Sequence, residues 1–176
     1  LTGAIKAAIL LNTEPAFDAA AGAKGLEQAD MVITLSPFKA NLDISDVLLP
    51  VAPFTETSGT FVNAEGRVRS CHAVVEPLGE ARPAWKVVRV LASLRELPGF
   101  DYESSQDVLT AAIGAETKEV PSALRSNITK VAAKVPENEA AEPVTASIYQ
   151  LDGIVRRATS LQLTADARLA REGGAA

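Results

Sequence analysis

Apolar residues in the first part of the chain occur in short runs that predict buried strands. The runs are 4–11 and Met31–Leu35, and they flank the Ala-rich segment 17–28, whose composition predicts a helix that Gly22 and Gly25 weaken. The order strand, helix, strand with short connections predicts a βαβ unit of a parallel sheet. Because two strands do not form a stable sheet, we expect further strands from a longer polypeptide or from a second copy.

The pattern changes after the second run. Residues 47–50 form a third short apolar run that stops at Pro50, and this run predicts another strand. Residues 55–70 are rich in Gly, Thr, Ser and Asn, a composition that predicts an ordered loop with turns rather than a regular element. Residues 69–75 alternate weakly and predict either a strand or an extended arm.

From residue 84 onward the apolar spacing becomes helical. Trp85, Val88, Leu91 and Ala92 recur at intervals of three or four, which predicts a helix with one apolar face. Ser104 and Ser105 resemble the N-terminal cap of a second helix that would run to Ile113, and residues 121–130 predict a third. The extension over residues 101–131 is therefore predicted to be helical.

The end of the chain predicts a linker followed by a helix that must dock. Residues 132–147 are rich in Ala, Glu and Pro, which is typical of a linker. Residues 148–176 carry apolar side chains at intervals of three or four, which predicts one amphipathic helix or two that join near Thr159. Arg156 and Arg157 lie close to the apolar stripe. A lone amphipathic helix needs a surface, and either the parent domain or a partner subunit would supply it.

Composition and charge exclude several classes of function. The chain has 176 residues and a net charge of −5, so the basic surface of a nucleic-acid-binding protein is not expected. No apolar run approaches the roughly 20 residues of a membrane helix, and no signal-peptide pattern opens the sequence. We therefore expect no direct membrane insertion, and we interpret the chain as part of a longer polypeptide.

Cys71 is the only cysteine, which limits the metal and redox chemistry of the chain. One cysteine cannot form an internal disulfide, and an iron–sulfur cluster normally needs several thiolate ligands. His72 follows it, but neighbouring residues point to opposite faces of a strand and no second histidine is present. We therefore favour a structural interpretation of this pair and predict no metal site and no catalytic residue.

The segment 46–85 carries the most information about function. A strand that ends at Pro50 would deliver the following loop to the carboxyl edge of the sheet, where open α/β folds bind ligands. In that loop, Gly59 and Gly66 allow unusual backbone conformations or close approaches. Thr60 and Asn63 are natural hydrogen-bond partners for the backbone. Glu56 or Glu65 could pair with Arg67. The loop is therefore either a ligand site or a self-satisfied structural loop, and we favour the second interpretation.

The same segment resembles the molybdopterin oxidoreductase superfamily. Members combine a strand of the form Asp-Val-hydrophobic-Leu-Pro with Glu-x-x-Gly-Thr-x-x-Asn-x-Glu-Gly-Arg. The matching positions here are Asp46, Pro50, Glu56, Gly59, Thr60, Asn63, Glu65, Gly66 and Arg67. The resemblance implies that the chain forms the end of a partial Rossmann-like α/β domain over residues 1–100. In cofactor-binding members this loop lies near the pterin.

Two further features resemble the complex I branch of that superfamily. The residues after Trp85 read as helices and a linker, whereas molybdenum enzymes such as formate dehydrogenases continue into a β-rich domain. The end of the chain, including Ile148-Tyr149 and residues 154–158, is similar to the tail of the large iron–sulfur subunit of bacterial NADH–quinone oxidoreductase.

This resemblance implies a role in a larger assembly. The parent complex would pass electrons from NADH through FMN and iron–sulfur clusters to quinone, coupled to proton translocation. The clusters would be held outside this chain, which would itself hold no cofactor and would act as a scaffold. Its partners would be other subunits of the peripheral arm of complex I, on the cytoplasmic side of the bacterial inner membrane. The family motif would then be structural, and we expect Arg67→Ala to lower the melting temperature.

Two alternatives stay open. The chain could be part of a molybdopterin-dependent oxidoreductase such as a formate dehydrogenase, or an unrelated nucleotide-binding α/β module. The second alternative is disfavoured because residues 12–15 read Asn-Thr-Glu-Pro where a Gly-x-Gly-x-x-Gly turn would be needed to hold a pyrophosphate.

Overall fold

A computed structural model describes residues 5–19, 22–114 and 147–173. The chain divides into two compact units, one made of Leu1–Leu49 and Pro136–Ala176 and the other of Pro50–Val135. The helix predicted over 121–130 and all but the last residue of the linker predicted over 132–147 lie outside the described residues. The predicted domain boundaries stay predictions.

The first unit contains the predicted sheet, and the α/β fold class is confirmed. Strands β1 (Ala7–Leu11), β2 (Met31–Ser36) and β3 (Val47–Pro50) are arranged in the order β1-β2-β3. Strands β1 and β2 are parallel, and their register runs from Ala7 opposite Met31 to Leu11 opposite Leu35. All three strands fall within or beside the apolar runs that predicted them, because each run is short and bounded by turn residues.

The core of this unit lies around β2. The side chains of Leu35 and Thr34 are fully buried, and the Thr34 hydroxyl lies 2.6 Å from the hydroxyl of Ser45. The prediction that β1 is buried is wrong for the face that carries Ile9 and Leu11, because both side chains are exposed. In the part of the chain that the structure describes, no element covers that face of β1.

The continuous helix predicted over residues 17–28 is also wrong. A single turn of helix, α1 (Pro15–Asp18), begins at a proline and ends before Ala19, whose backbone is extended. A 3-10 turn follows at Lys24–Leu26, after Gly22 has adopted a left-handed conformation with φ of 57°. Glycine adopts this left-handed conformation readily. The helical propensity of the neighbouring alanines is therefore not enough to continue the helix past Gly22.

The second unit contains a hairpin that was not predicted from the sequence. Strands β4 (Gly59–Val62) and β5 (Val68–Cys71) pair antiparallel, from Gly59 opposite Cys71 to Val62 opposite Val68. The prediction that residues 55–70 contain no regular element is therefore wrong. A strand within 69–75 is confirmed in part by β5. Upstream of the hairpin, Val51 forms an isolated parallel bridge with Arg82.

Two predicted helices follow the hairpin in the second unit. Helix α2 (Ala84–Leu94) begins after Pro83, and helix α3 (Ser105–Ile113) begins after the Ser104 cap. The Ser104 hydroxyl accepts a hydrogen bond from the amide of Asp107, whose carboxylate accepts one from the amide of Ser104. This reciprocal pair satisfies two backbone donors at the start of α3 and confirms the predicted cap.

The described residues 147–173 form three short helices rather than one or two. These are α4 (Gly153–Arg157), α5 (Thr159–Gln162) and α6 (Ala165–Gly173). The first break falls at Ala158, whose backbone is extended with ψ of 91°. The predicted junction near Thr159 is therefore confirmed, and a second junction lies between α5 and α6. Helix α4 packs within the first unit, so its docking surface is the parent domain.

Candidate functional site

The turn of the hairpin is built by one motif residue, Asn63. Its side-chain oxygen accepts hydrogen bonds from the amides of Glu65, at 3.1 Å, and Arg67, at 2.9 Å. Its own backbone amide donates to the carbonyl of Arg67, and its carbonyl accepts from the amide of Gly66. Gly66 has φ of 81°, a left-handed conformation in which a Cβ atom would be strained. Asn63 therefore holds the turn through backbone hydrogen bonds, and Gly66 supplies its left-handed residue.

The charged motif residues make two different contacts: Glu65 pairs with Arg67, and Glu56 contacts a backbone amide. The guanidinium of Arg67 lies 3.3 Å from the carboxylate of Glu65, and both side chains are largely exposed. Glu56 instead accepts a hydrogen bond of 3.0 Å from the amide of Leu78. Of the two predicted partners of Arg67, Glu65 is the one that pairs. An exposed pair of this kind stabilises a protein by at most about 1 kcal/mol.

The remaining motif residues of the hairpin do not act as predicted. The hydroxyl of Thr60 lies 3.0 Å from the hydroxyl of Ser70 on the opposite strand, so it bonds to a side chain rather than to the backbone. Gly59 does not have a left-handed backbone, and a Cβ atom built on it would meet nothing within 4 Å. No steric or conformational need for glycine is evident at this position.

Asp46 and Pro50 belong to β3 and the turn before it. The Asp46 carboxylate accepts a hydrogen bond of 2.7 Å from the amide of Val32, and the Asp46 amide donates to the Val32 carbonyl. These two bonds attach the start of β3 to β2. Pro50 is the last residue of β3. The Asp46 carboxylate is therefore already used by a hydrogen bond within the first unit.

A cleft of about 660 Å³ lies beside the hairpin in the second unit. Its size falls in the range of small-molecule sites. Glu56 and Glu76 contribute two carboxylates, and Arg82 and Lys86 contribute two cations. Trp85 also lines it, and the Lys86 ammonium lies 5.4 Å from the centre of the Trp85 ring. From the sequence, Trp85 was predicted only as part of the apolar face of α2, because its helical spacing was the only available signal.

The described residues of this cleft do not fit a pterin cofactor with its anionic phosphate. Such a group needs donors and positive charge that the protein does not use elsewhere. Arg82 already donates to the carbonyls of Gly79, at 3.2 Å, and Ala81, at 2.8 Å. Glu56 and Glu76 offset the positive charges of Arg82 and Lys86, so the cleft has no excess of positive charge. We therefore assign no reaction step to this cleft.

Neither a metal centre nor a membrane span is found in the described part of the chain. Within residues 5–19, 22–114 and 147–173, no group of three or more His, Cys, Asp or Glu side chains could hold a metal ion. Over the same residues, no helix is long and apolar enough to cross a membrane. Cys71 is half-buried, and its sulfur lies 3.6 Å from the carbonyl oxygen of Gly59.

The chain matches the family described as molybdopterin oxidoreductase over residues 1–94, a little more than half of its 176 residues. Among curated relatives, it is 50% identical over 48 residues to the mitochondrial NADH-ubiquinone oxidoreductase 78 kDa subunit of Candida albicans (strain SC5314 / ATCC MYA-2876). That alignment covers 27% of this chain and 7% of the relative.

Two bacterial relatives are matched over longer segments. A Bacillus subtilis (strain 168) protein named as oxidoreductase YjgC is 37% identical over 70 residues, which cover 40% of this chain and 7% of that protein. A Staphylococcus aureus (strain USA300) protein named as a formate dehydrogenase is 34% identical over 77 residues, which cover 43% of this chain and 8% of that protein. The chain thus spans less than a tenth of the length of each of these relatives in the alignments.

Proposed function

This chain belongs to the molybdopterin oxidoreductase family, and on that premise we propose that it is a structural region of the large iron–sulfur subunit of a NADH–quinone oxidoreductase. The complex that contains this subunit would pass electrons from NADH through FMN and iron–sulfur clusters to quinone, coupled to proton translocation. The chain itself holds no cofactor in this proposal. Its partners are other subunits of the peripheral arm, on the cytoplasmic side of the bacterial inner membrane, and nucleic acid is not among them.

The observation that carries this proposal is the internal use of the motif's polar groups. Asn63 uses its side-chain oxygen for two amides of its own turn, and Glu56 uses a carboxylate oxygen for the amide of Leu78. Thr60 and Arg67 likewise contact neighbours within the hairpin. Polar groups that hold a loop in shape are not aimed at a ligand, so the motif supports a scaffold better than a cofactor site.

The similarity to the Candida albicans 78 kDa subunit supports the choice of complex. The shared segment is short, but half of its residues are identical. The helical character of residues 84–94 and 105–113 supports the same choice, because a β-rich domain would follow in the molybdenum enzymes that the sequence also resembles.

A second candidate function is a molybdopterin-dependent oxidoreductase of the formate dehydrogenase type. The similarity to the Staphylococcus aureus protein favours it, because that alignment covers a larger share of this chain than the alignment with the 78 kDa subunit. In this case other parts of the polypeptide would hold the cofactor, because the charges of the cleft beside Glu56 do not suit an anionic phosphate.

Elemental analysis of the full-length polypeptide, purified together with its partner subunits, distinguishes the two candidates. Iron, molybdenum and tungsten are measured together in one preparation, alongside NADH oxidation with a quinone acceptor. Abundant iron without molybdenum or tungsten, together with NADH-dependent quinone reduction, is the expected result. Stoichiometric molybdenum or tungsten would overturn the scaffold proposal and favour the second candidate.

A further inference from the structure

The loops that leave β1 and β2 are joined by one side chain from the far end of the chain. Because β1 and β2 are parallel, both loops leave at the carboxyl edge of the sheet. Arg157 donates two hydrogen bonds to the carboxylate of Glu14, at 2.8 and 2.9 Å, in the loop after β1. Its guanidinium carbon lies 4.3 Å from the ring centre of Phe38, in the loop after β2.

Arg156 makes a second set of contacts at the same edge. It donates to the carboxylate of Asp18 at 2.5 Å, and its Nη1 atom lies 3.3 Å from an oxygen of Glu14. Its guanidinium carbon lies 4.7 Å from the ring centre of Phe17. The side chain is only 7% exposed, against 32% for Arg157. Arg156 is therefore buried between two carboxylates and an aromatic ring.

The chemistry of this cluster is specific to guanidinium groups. Two carboxylates, Glu14 and Asp18, balance two arginines, and the bidentate bond of Arg157 to Glu14 uses the planar fork that lysine lacks. Each guanidinium also lies over an aromatic ring, a second interaction that favours arginine. The hydrogen bond with Glu14 raises the pKa of Arg157, although burial opposes this effect.

We propose that the carboxyl edge of the β1–β2 pair is a guanidinium-binding site, formed by Glu14, Phe17, Asp18 and Phe38, and that the chain fills it with its own Arg156 and Arg157. Open α/β sheets bind ligands at this edge. With α4 in place, the edge is closed from within the same polypeptide. This proposal does not depend on the proposed function, because it states only how the end of the chain binds to the sheet.

Hydrogen exchange of the full chain tests the site. The amides of Asn12, Phe17 and Asp18 donate to backbone carbonyls at this edge. In Arg156→Ala/Arg157→Ala we expect these amides to exchange at least about tenfold faster, because the loop loses the groups that hold it. Arg168→Ala removes an exposed arginine from α6 and is the matched control, in which exchange at this edge stays unchanged. Unchanged exchange in the double variant would overturn the proposal.

A second variant keeps the test decisive if the double alanine variant does not fold. Arg156→Lys/Arg157→Lys preserves both positive charges but removes the fork and the planar stacking surface. We expect exchange at Asn12 and Asp18 to be faster than in the unaltered chain, while the hairpin amides of the other unit keep their rates. If the lysine pair protects the edge as well as the arginine pair, the site recognises charge alone and the proposal is wrong.

Discussion

The Glu56 carboxylate accepts a hydrogen bond of 3.0 Å from the amide of Leu78, twenty-two residues further along the chain. This bond connects the segment before the hairpin to the turn before α2. Glu56, a motif residue in a loop, thus links two segments of its own unit by a hydrogen bond. Its removal should lower the stability of that unit.

We expect Glu56→Ala to lower the free energy of unfolding by about 0.5–1.5 kcal/mol, because the exposed Leu78 amide exchanges a charged acceptor for water. Urea denaturation of the chain measures the change. The control is Glu80→Ala, which removes a side chain that is 94% exposed and 3.7 Å from Arg82. That control should change stability by less than about 0.5 kcal/mol. Equal effects of the two substitutions would contradict a structural role for Glu56.

Two glycines of the motif are expected to respond differently to alanine. Gly66→Ala should lower the free energy of unfolding by about 1 kcal/mol or more, because alanine at φ of 81° is strained. Gly59→Ala is the matched control, since its Cβ would meet nothing within 4 Å and its backbone is not left-handed. Thermal denaturation compares the melting temperatures of the two variants. Equal destabilisation by Gly59→Ala and Gly66→Ala would contradict the prediction.

The effect of Arg67→Ala on stability is expected to be small. Its ion pair with Glu65 is largely exposed, so we expect a loss of at most about 0.5–1 kcal/mol. Calorimetry of the chain gives the stability change, and co-purification of the full-length polypeptide with its partners gives the effect on assembly. Near-normal melting with failed assembly would identify the hairpin as an interaction surface, whereas a loss of several kcal/mol would show that the pair is more important than its exposure suggests.

Helix α3 should respond to acid through its cap. The Ser104 hydroxyl, followed by the amides of Glu103 and Ser104, lowers the pKa of Asp107 from its usual 3.8. The ionised carboxylate therefore stabilises the folded state above about pH 3.8, and this contribution is lost as the pH falls through the lower folded-state value. NMR signals of residues 105–113 followed from pH 6 to pH 2 should show the helix loosening in that window.

Asp107→Asn should remove this pH dependence, because the amide cannot ionise. Asp101→Asn, which changes an exposed carboxylate upstream of the helix, is the matched control and should retain it. An unaltered acid response in the Asp107 variant would mean that other carboxylates cause the loosening.

Local signals explain which elements could be predicted from the sequence. Strand β3 and helices α2 and α3 are bounded by Pro50, Pro83 and Ser104, residues whose structural preferences are strong and local. The helix predicted in the Ala-rich stretch after Phe17 does not form because its alanines carry propensity without long side chains to pack, and the left-handed Gly22 interrupts it.

The hairpin and the edge of the sheet show what local signals miss. Strands β4 and β5 have four residues each, too short for an alternating pattern, and their pairing depends on the turn that Asn63 and Gly66 build. Those two residues stand out in the motif, but no pattern indicated β4, and only the weak alternation of residues 69–75 indicated β5. The contact of Arg157 with Glu14 spans 143 residues, and no local pattern in the sequence encodes that pairing.

The two-segment construction of the first unit affects the order in which the chain folds during its synthesis. The second unit is encoded entirely between the two segments of the first, so a ribosome completes it before Arg156 and Arg157 emerge. Until then, Glu14 and Asp18 lack the cations that neutralise them. Contacts between residues far apart in sequence form slowly, and folding intermediates of larger proteins expose apolar surface before those contacts form. Before Arg156 emerges, its guanidinium does not yet cover the ring of Phe17. We therefore expect chaperone assistance to matter most at this stage of synthesis.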